Sequence, residues 1–230
     1  MTSTAAIIVA AGQGQRMGVS QNKVYLELKG RPLLSHTLEA FLKCSFIQQM
    51  IVVVAEGEDT FCQQEVIDKL TGHVPVELCI GGATRQDSVF QGLQKVSSDH
   101  PIVLIHDGAR PLVSSTLIQQ VVDAADEFGA AIPGTPVVDS LKQVDEQHRI
   151  VEAPSRENLY QAQTPQGFHF DLIHQALSQA IKNDQQFTDD VGAVAHYSDV
   201  TPKLIPGEAS NIKVTTPFDL SLAEWLMQGS

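Results

Sequence analysis

Positively charged side chains are scarce in this chain of 230 residues, which has 15 Lys and Arg against 27 Asp and Glu and a net charge of −12. Nucleic acids and anionic membranes repel a protein that is this acidic. We therefore expect no nucleic-acid partner and no membrane partner. A phosphate ligand would need the few available cations to be gathered at one site, so each Lys or Arg in a glycine-rich loop is a candidate ligand.

Cysteines and long apolar runs are also scarce. The three cysteines, Cys44, Cys62 and Cys79, are an odd number without CxxC spacing, which argues against disulfides and a cysteine metal site and favours a reducing compartment. The apolar stretch at residues 5–11 is too short to span a bilayer, and no basic segment typical of a signal peptide precedes it. We expect a cytoplasmic protein.

Short β-branched runs alternate with longer amphipathic stretches, a pattern typical of βαβ units and a parallel sheet. The length fits a single domain over residues 1–230. We predict an α/β, Rossmann-like, mostly parallel sheet flanked by helices. The predicted strands are Ala6–Ala10, Met50–Ala55, Val76–Ile80, Ile102–His106 and Gly129–Val137. The predicted helices are Leu33–Lys43, Asp59–Leu70, Thr84–Val96, Ser115–Phe128, Asp171–Lys182 and Pro217–Met227.

One segment, at about 137–159, interrupts the alternation. It has two moderately hydrophobic runs on either side of the polar stretch Asp145–Arg149, which predicts a protruding β-hairpin arm. A two-stranded ribbon is at best marginally stable alone in water. The arm should therefore either pack on the parent sheet or reach a second subunit.

A glycine-rich loop follows the first predicted strand. Gly12, Gly14 and Gly18 allow positive φ angles, so successive N–H groups can turn inward toward an anion. Arg16 offers a planar fork for phosphate oxygens, and Lys23 a mobile point charge. The spacing matches neither the dinucleotide-binding pattern nor a Walker A loop. The glycines and the two cations together predict a phosphate-binding loop, and the alternative is a tight surface turn with two solvated cations.

A Gly-Gly pair follows the third predicted strand. Gly81 and Gly82 expose backbone groups that can contact the edge of a base, and Ser88 adds a hydroxyl. The alternative is structural, with Thr84 capping a helix and Asp87 completing a capping box. Both interpretations can hold together.

The stretch His106–Pro111 ends the fourth predicted strand, where open α/β sheets bind ligands. Asp107 can ligate Mg²⁺ or contact a ribose hydroxyl, and Gly108 keeps the approach open. Arg110 is either a ligand or an ordinary ion-pair partner of Asp107. His106 is expected to be a core residue at the strand end.

The last third of the chain contributes further charged candidates. Arg156 and Lys213 are its cations of interest, although each alone is more often a solvated surface charge. The neighbouring Asp189 and Asp190 are interpreted as a solvated pair in preference to a metal site.

Taken together, these motifs resemble the 2-C-methyl-D-erythritol 4-phosphate cytidylyltransferase family of the non-mevalonate isoprenoid pathway, from Ala6 to Ala223. The motifs that carry the resemblance are AAGxGxRM at Ala10–Met17, Lys23, GGxxRxDSV at Gly81–Val89, HDGARP at His106–Pro111, QTPQ at Gln163–Gln166 and NIKVTTPFDL at Asn211–Leu220.

The resemblance implies transfer of CMP from CTP to a sugar-alcohol phosphate, 2-C-methyl-D-erythritol 4-phosphate, with release of pyrophosphate. It implies Mg²⁺, or another divalent cation, held mainly by phosphates with Asp107 as a weak ligand. It also implies a homodimer formed through the arm, with Ser140 and Arg156 acting across the interface.

The implied catalytic residues fall into two pairs. Arg16 and Lys23 would stabilise charge on the α-phosphate, and Arg156 and Lys213 would position the phosphate of the acceptor. The implied substrate-binding residues are Ala10, Ala11, Gly12, Gly14, Gly82, Ala83, Ser88, Asp107, Gly108, Arg110, Ser140, Thr164 and Thr188.

Two other functions remain open from the sequence. A ribitol 5-phosphate cytidylyltransferase would have a similar nucleotide half. A non-catalytic nucleotide-sensing module would keep the glycine loops, but it has no need for Arg16, Lys23, Arg156 and Lys213 together.

Overall fold

The computed structural model describes residues 2–12 and 22–228. The strands are β1 (Thr4–Val9), β2 (Glu27–Leu28), β3 (Arg31–Pro32), β4 (Ile47–Val54), β5 (Val76–Ile80), β6 (Ile102–Asp107), β7 (Ala130–Pro136), β8 (Gln143–Val144), β9 (Ile150–Glu152), β10 (Tyr160–Ala162), β11 (Gln166–His169) and β12 (Lys203–Pro206). The α-helices are α1 (Leu33–Leu42), α2 (Asp59–Glu65), α3 (Arg85–Leu93), α4 (Ser115–Phe128), α5 (Phe170–Lys182), α6 (Asp190–Tyr197) and α7 (Pro217–Leu226).

The main sheet has the strand order β10-β7-β11-β6-β1-β4-β5, with β12 paired to β7. Four strand pairs are parallel: β1 with β4, β1 with β6, β4 with β5, and β12 with β7. Strand β10 pairs antiparallel with β7, and β11 pairs antiparallel with both β6 and β7. The chain moves outward from β1 through β4 to β5 and then returns to the other side of β1 as β6. This reversal places a topological switch point between β1 and β6, which is where open α/β sheets bind ligands.

Alternation along the central strands produces two buried layers, one on each face of the sheet. Ile8, Val52 and Leu104 face a core completed by α1 and α4. Ile7 and Val53 face the opposite core, which α3, α5 and α6 complete. Strands buried on both faces read as nearly continuous apolar runs, as Ile51 to Val54 does. The predicted α/β fold with a mostly parallel sheet is confirmed.

The predicted elements exist, with shifted bounds and several additions. The strand predicted from Met50 begins three residues earlier, at Ile47. The helix predicted over Asp59–Leu70 ends at Glu65 and is followed by a short 3-10 helix. Helix α6 and the strands β2, β3, β10, β11 and β12 were not predicted from the sequence.

The arm is present, but its regular part is shorter than predicted. Only β8 and β9 pair, and they form a two-stranded sheet separate from the main one. Their apolar side chains and those beside them are exposed, with Val138 71%, Ile150 65% and Val151 59% accessible. In the single chain, therefore, the arm does not gain its stability by packing on the parent sheet.

Two further expectations concern the chain as a whole. Cys44, Cys62 and Cys79 are buried and form no disulfide. Across residues 2–12 and 22–228, no helix combines the length and the apolar character needed to cross a membrane.

Candidate active site

A large pocket opens at the carboxyl edge of the parallel strands, beside the switch point. Its volume is about 1010 Å³. Because β1, β4, β5 and β6 run parallel, the residues that follow each of them meet at this edge. The predicted site residues that line it are Ala10, Ala11, Gly12, Lys23, Gly82, Ala83, Ser88, Asp107 and Lys213.

The Gly-Gly loop forms one wall of the pocket and is held from below by Ser88. The Ser88 hydroxyl accepts a hydrogen bond from the Gly82 N–H at 3.1 Å and donates to the Thr84 carbonyl at 2.9 Å. Thr84 and Asp87 form the capping box that starts α3, as the alternative interpretation had it. A Cβ at Gly82 would overlap Asp87. Ser88 is 2% exposed, so its hydroxyl acts mainly by fixing the loop backbone that faces the pocket.

Asp107 is the most heavily paired group of the site. Its carboxylate lies 2.7 Å from Lys213 Nζ, 3.3 Å from Arg85 Nε and 3.8 Å from Arg110 Nε. Burial alone would raise the pKa of Asp107, but the charges of Lys213 and Arg85 outweigh burial and hold the pKa well below its usual value. The carboxylate therefore stays ionised and keeps three cations together at the mouth of β6.

Sequence reasoning missed Arg85 as a site residue, although it lies within the GGxxRxDSV motif. Arg85 lines the pocket and donates from Nη1 to Asp190 at 2.8 Å, in addition to its contact with Asp107. The interpretation of Asp189 and Asp190 as a solvated pair was wrong. Asp190 is 2% exposed and bound to Arg85, and Asp189 caps α6 by accepting from the Gly192 N–H. No local sequence signal indicates the ion pair of Arg85 with Asp190, because the two residues lie far apart in the chain.

His106 is a core residue, as expected, and a chain of hydrogen bonds fixes its protonation. His106 Nε2 lies 3.2 Å from the Arg110 carbonyl, which can only accept, so the proton of the neutral ring is on Nε2. Nδ1 is then an acceptor and takes the hydrogen of the Thr164 hydroxyl at 3.0 Å, while the same hydroxyl accepts from the Asp107 N–H at 3.1 Å. Burial lowers the pKa of His106 to about 3, so the ring is neutral.

Three predicted ligands lie behind the pocket, where they support its walls. Thr164 is 5% exposed and fixes the backbone of Asp107. Arg110 donates from Nη1 to the Asn211 carbonyl at 2.7 Å and so fastens the segment that carries Lys213. The Gly108 N–H donates to the Val9 carbonyl at 2.9 Å, which joins the ends of β1 and β6. Direct contact of these residues with a ligand stays a prediction.

Three other predicted residues, all of them described, do not line this pocket in the single chain. Ser140 and Arg156 are exposed on the arm, and Thr188 is exposed just before α6. Arg16 and Gly14 lie outside the described residues.

A divalent cation would find few protein ligands here. Across the described parts of the chain, no three His, Cys, Asp or Glu side chains converge on one point. Asp107 can offer an oxygen only in competition with its three cationic partners. The pocket thus fits a metal that its phosphate ligands carry with them, and it does not fit a metal caged by the protein.

Comparison with known proteins identifies the family. The family model described as 2-C-methyl-D-erythritol 4-phosphate cytidylyltransferase matches residues 4–229. The chain belongs to this family. Cytidylyltransferases of this family from Syntrophotalea carbinolica and Alkaliphilus oremlandii are 46% and 40% identical to it, over 95% and 99% of this chain and 93% and 96% of theirs.

Solved structures of the cytidylyltransferase family show the same fold. A crystal structure of 4-diphosphocytidyl-2C-methyl-D-erythritol synthase from Anaerococcus prevotii has a TM-score of 0.86 at 30% identity, with 99% of each chain covered. The cytidylyltransferase from Thermus thermophilus has a TM-score of 0.80 at 34% identity, with 99% of this chain and 100% of that chain covered.

Proposed function

We propose that this protein transfers CMP from CTP to 2-C-methyl-D-erythritol 4-phosphate, giving 4-diphosphocytidyl-2-C-methyl-D-erythritol and pyrophosphate. The observation that carries the proposal is the pocket at the switch point, in a chain that belongs to this cytidylyltransferase family. The pocket is lined by a glycine loop suited to a base and by Lys23, Lys213 and Arg85, which suit phosphates.

The reaction needs no nucleophile from the protein. An oxygen of the acceptor's phosphate monoester, already anionic at neutral pH, forms a bond to the α-phosphorus of CTP. The bond from that phosphorus to the bridging oxygen breaks, and pyrophosphate leaves with the electron pair. Since two anions must approach each other, positioning and charge stabilisation supply the catalysis.

The cations divide between the two partners of the reaction. Lys23, beside the end of β1, is proposed to stabilise charge on the α-phosphate together with Arg16. Lys213 is proposed to bind the acceptor phosphate, assisted by Arg156. Asp107 supports Lys213 by holding its ammonium group at 2.7 Å, next to Arg85.

Mg²⁺, or another divalent cation, is proposed to accompany the triphosphate. When bound, it supplies positive charge to phosphate oxygens and so lowers the cost of bringing the second anion close. Among the carboxylates that line the pocket, Asp107 is proposed to contact it, as a weak ligand.

The protein is further proposed to be a homodimer joined through the arm, and to work in the cytoplasm. The exposed apolar side chains of β9 support the dimer, because a ribbon of this kind needs a surface to pack on. Ser140 and Arg156, exposed on the same arm, would then serve the pocket of the partner. Three buried cysteines without disulfides suit a reducing compartment.

A pyrophosphate-release assay tests the reaction and the acceptor together. The purified chain is incubated with CTP and Mg²⁺, and either 2-C-methyl-D-erythritol 4-phosphate, ribitol 5-phosphate or no acceptor is added. We expect release with the first acceptor alone. Release with ribitol 5-phosphate in its place would reassign the acceptor, and no release with either would indicate a nucleotide-sensing module.

A further inference from the structure

Asn22 has a buried side chain that the proposed chemistry does not use. It is 5% exposed and immediately precedes Lys23. Its Nδ2 donates to the Ala10 carbonyl at 2.8 Å and to Glu58 Oε2 at 3.0 Å, and its Oδ1 accepts from the Val24 N–H at 3.4 Å. One amide thus joins the end of β1, the start of α2 and the turn that carries Lys23.

The turn that carries Lys23 is held by its own backbone hydrogen bonds and by buried side chains. Residues Lys23–Tyr25 form a 3-10 helix, in which the Tyr25 N–H donates to the Asn22 carbonyl at 3.0 Å and the Leu26 N–H donates to the Lys23 carbonyl at 3.2 Å. Val24 and Tyr25 are buried in the core. These contacts fix the position of the Lys23 backbone, and the hydrogen bond from Asn22 fixes that position relative to Ala10.

Ala10 is the pocket residue to which Asn22 ties the position of Lys23. Ala10 lines the pocket, and its N–H donates to the Val53 carbonyl at 2.7 Å. Ala10 is 1% exposed, so water cannot easily replace the amide of Asn22 at its carbonyl. A lysine side chain is long and flexible, and its ammonium group is aimed well only if the backbone beneath it is fixed.

We propose that Asn22 is a positioning residue for Lys23, acting through its hydrogen bond to the carbonyl of Ala10. The proposal rests on the proposed function, in which Lys23 stabilises the α-phosphate. Asn22 makes no contact with substrate in this scheme. It fixes the distance between the lysine and the backbone that holds the nucleotide.

A double-mutant cycle over Asn22→Ala and Lys23→Ala tests the proposal. A displacement of about 1 Å is enough to lower turnover strongly, so we expect Asn22→Ala to lower kcat between about tenfold and 100-fold. The KM for the acceptor should stay within about twofold, because the acceptor phosphate is proposed to bind elsewhere. In the Lys23→Ala background, Asn22→Ala should cause no further loss, since residues that act through one another are not additive.

Two other variants separate the clamp from general structural effects. Asn22→Asp keeps an oxygen for the Val24 N–H but lacks the donor to Ala10 and places a second carboxylate beside Glu58, so it should be at least as impaired as Asn22→Ala. If Asn22→Ala fails to fold, Asn22→Ser replaces it in the cycle, because a serine hydroxyl can accept from the Val24 N–H without adding charge. Asn183→Ala removes an exposed asparagine whose side chain bonds Tyr197, and it should have wild-type kinetics.

Each failure points to a different conclusion. Near-normal turnover of Lys23→Ala would overturn the catalytic role of Lys23, and this proposal with it. Loss in Lys23→Ala with normal turnover in Asn22→Ala or Asn22→Asp would overturn the positioning role alone. Equal losses from Asn22→Ala in both backgrounds would make Asn22 an ordinary structural residue.

Discussion

At the scale of single residues, the ion pair of Lys213 and Asp107 is one of three contacts that neutralise the buried carboxylate of the pocket. Lys213 lies 2.7 Å from Asp107, while Arg85 and Arg110 contact the same carboxylate. Removing Lys213 leaves Asp107 with two cations, so the carboxylate remains compensated and the fold should persist. The loss should therefore appear in catalysis.

Lys213→Met should lower kcat/KM for the acceptor by about 10²–10³, the usual cost of removing one preorganised charge contact. Steady-state kinetics with each substrate varied in turn measures it, and the melting temperature should stay near that of the wild type. Lys95→Met is the matched control, since Lys95 is exposed and pairs only loosely with Glu77 at 3.5 Å. A kcat/KM within about twofold of wild type would contradict the assigned role.

His106 makes stability depend on pH in a defined direction. Burial lowers the pKa of His106 from 6.5 to about 3, so the native state does not bind the proton that the unfolded state binds below pH 6.5. Its contribution is complete above pH 6.5 and is lost as the pH falls toward 3. Between about pH 6.5 and 4.5 the free energy of unfolding should fall by on the order of 2–3 kcal/mol through this group.

Urea unfolding at several pH values, compared between the wild type and His106→Gln, checks this prediction. The variant should show a shallower slope of unfolding free energy against pH, whatever its absolute stability. A slope remains, because burial also lowers the pKa of His36. Asp107 does not interfere, since its pKa lies below the ordinary 3.8 and its contribution is lost only in stronger acid. Equal slopes would show that His106 titrates normally in the native state.

At the scale of elements, the first turn of α3 holds the segment that leads into α6. Gln86 is 5% exposed, and its side chain donates to the Gln185 carbonyl at 3.0 Å and accepts from the Phe187 N–H at 3.1 Å. Arg85 makes the neighbouring bond to Asp190. Hydrogen bonds from the first turn of α3, which borders the pocket, therefore hold the loop that carries Thr188 in place.

Gln86→Ala leaves two backbone groups without partners and should destabilise the protein by about 2–4 kcal/mol. Each kcal/mol lowers the melting temperature of a chain of this size by roughly 2–4 °C. Thermal unfolding followed by circular dichroism measures it, with Gln94→Ala as the control on the exposed face of the same region. An unchanged melting temperature would mean that water replaces both bonds.

Local patterns in the sequence predicted the elements that carry their own signals. The apolar run at Ile51, the capping box of Thr84 and the proline that opens α7 are all contiguous in the chain. The bridge from Arg85 to Asp190 is not, because it joins residues 105 positions apart. Short strands such as β11 escaped for the same reason, since their pairing with β6 is set by the tertiary fold. The phosphate-binding candidates were recognisable, whereas their mutual arrangement had to come from the structure.

At the scale of the whole molecule, the site of a single chain is incomplete under the proposed chemistry. Lys213 lines the pocket, but Arg156, its proposed partner at the acceptor phosphate, is exposed on the arm. In the proposed two-fold symmetric dimer, each arm would serve the other chain's pocket. Each active site would then combine the pocket of one chain with the arm of its partner.

This arrangement predicts complementation between two inactive variants. In dimers of Arg156→Ala alone or of Lys213→Met alone, every site lacks one cation. When the two chains are co-expressed with different tags, half of the dimers are mixed. One of the two sites in each mixed dimer combines an intact pocket with an intact arm, so about half of the sites in the doubly tagged fraction, and about a quarter of all sites, should be active. Pyrophosphate release by the doubly tagged fraction, together with its mass by sedimentation, measures this. If Arg156 served the pocket of its own chain, both sites of the mixed dimer would stay defective, and its activity would be no greater than the mean of the two parent variants.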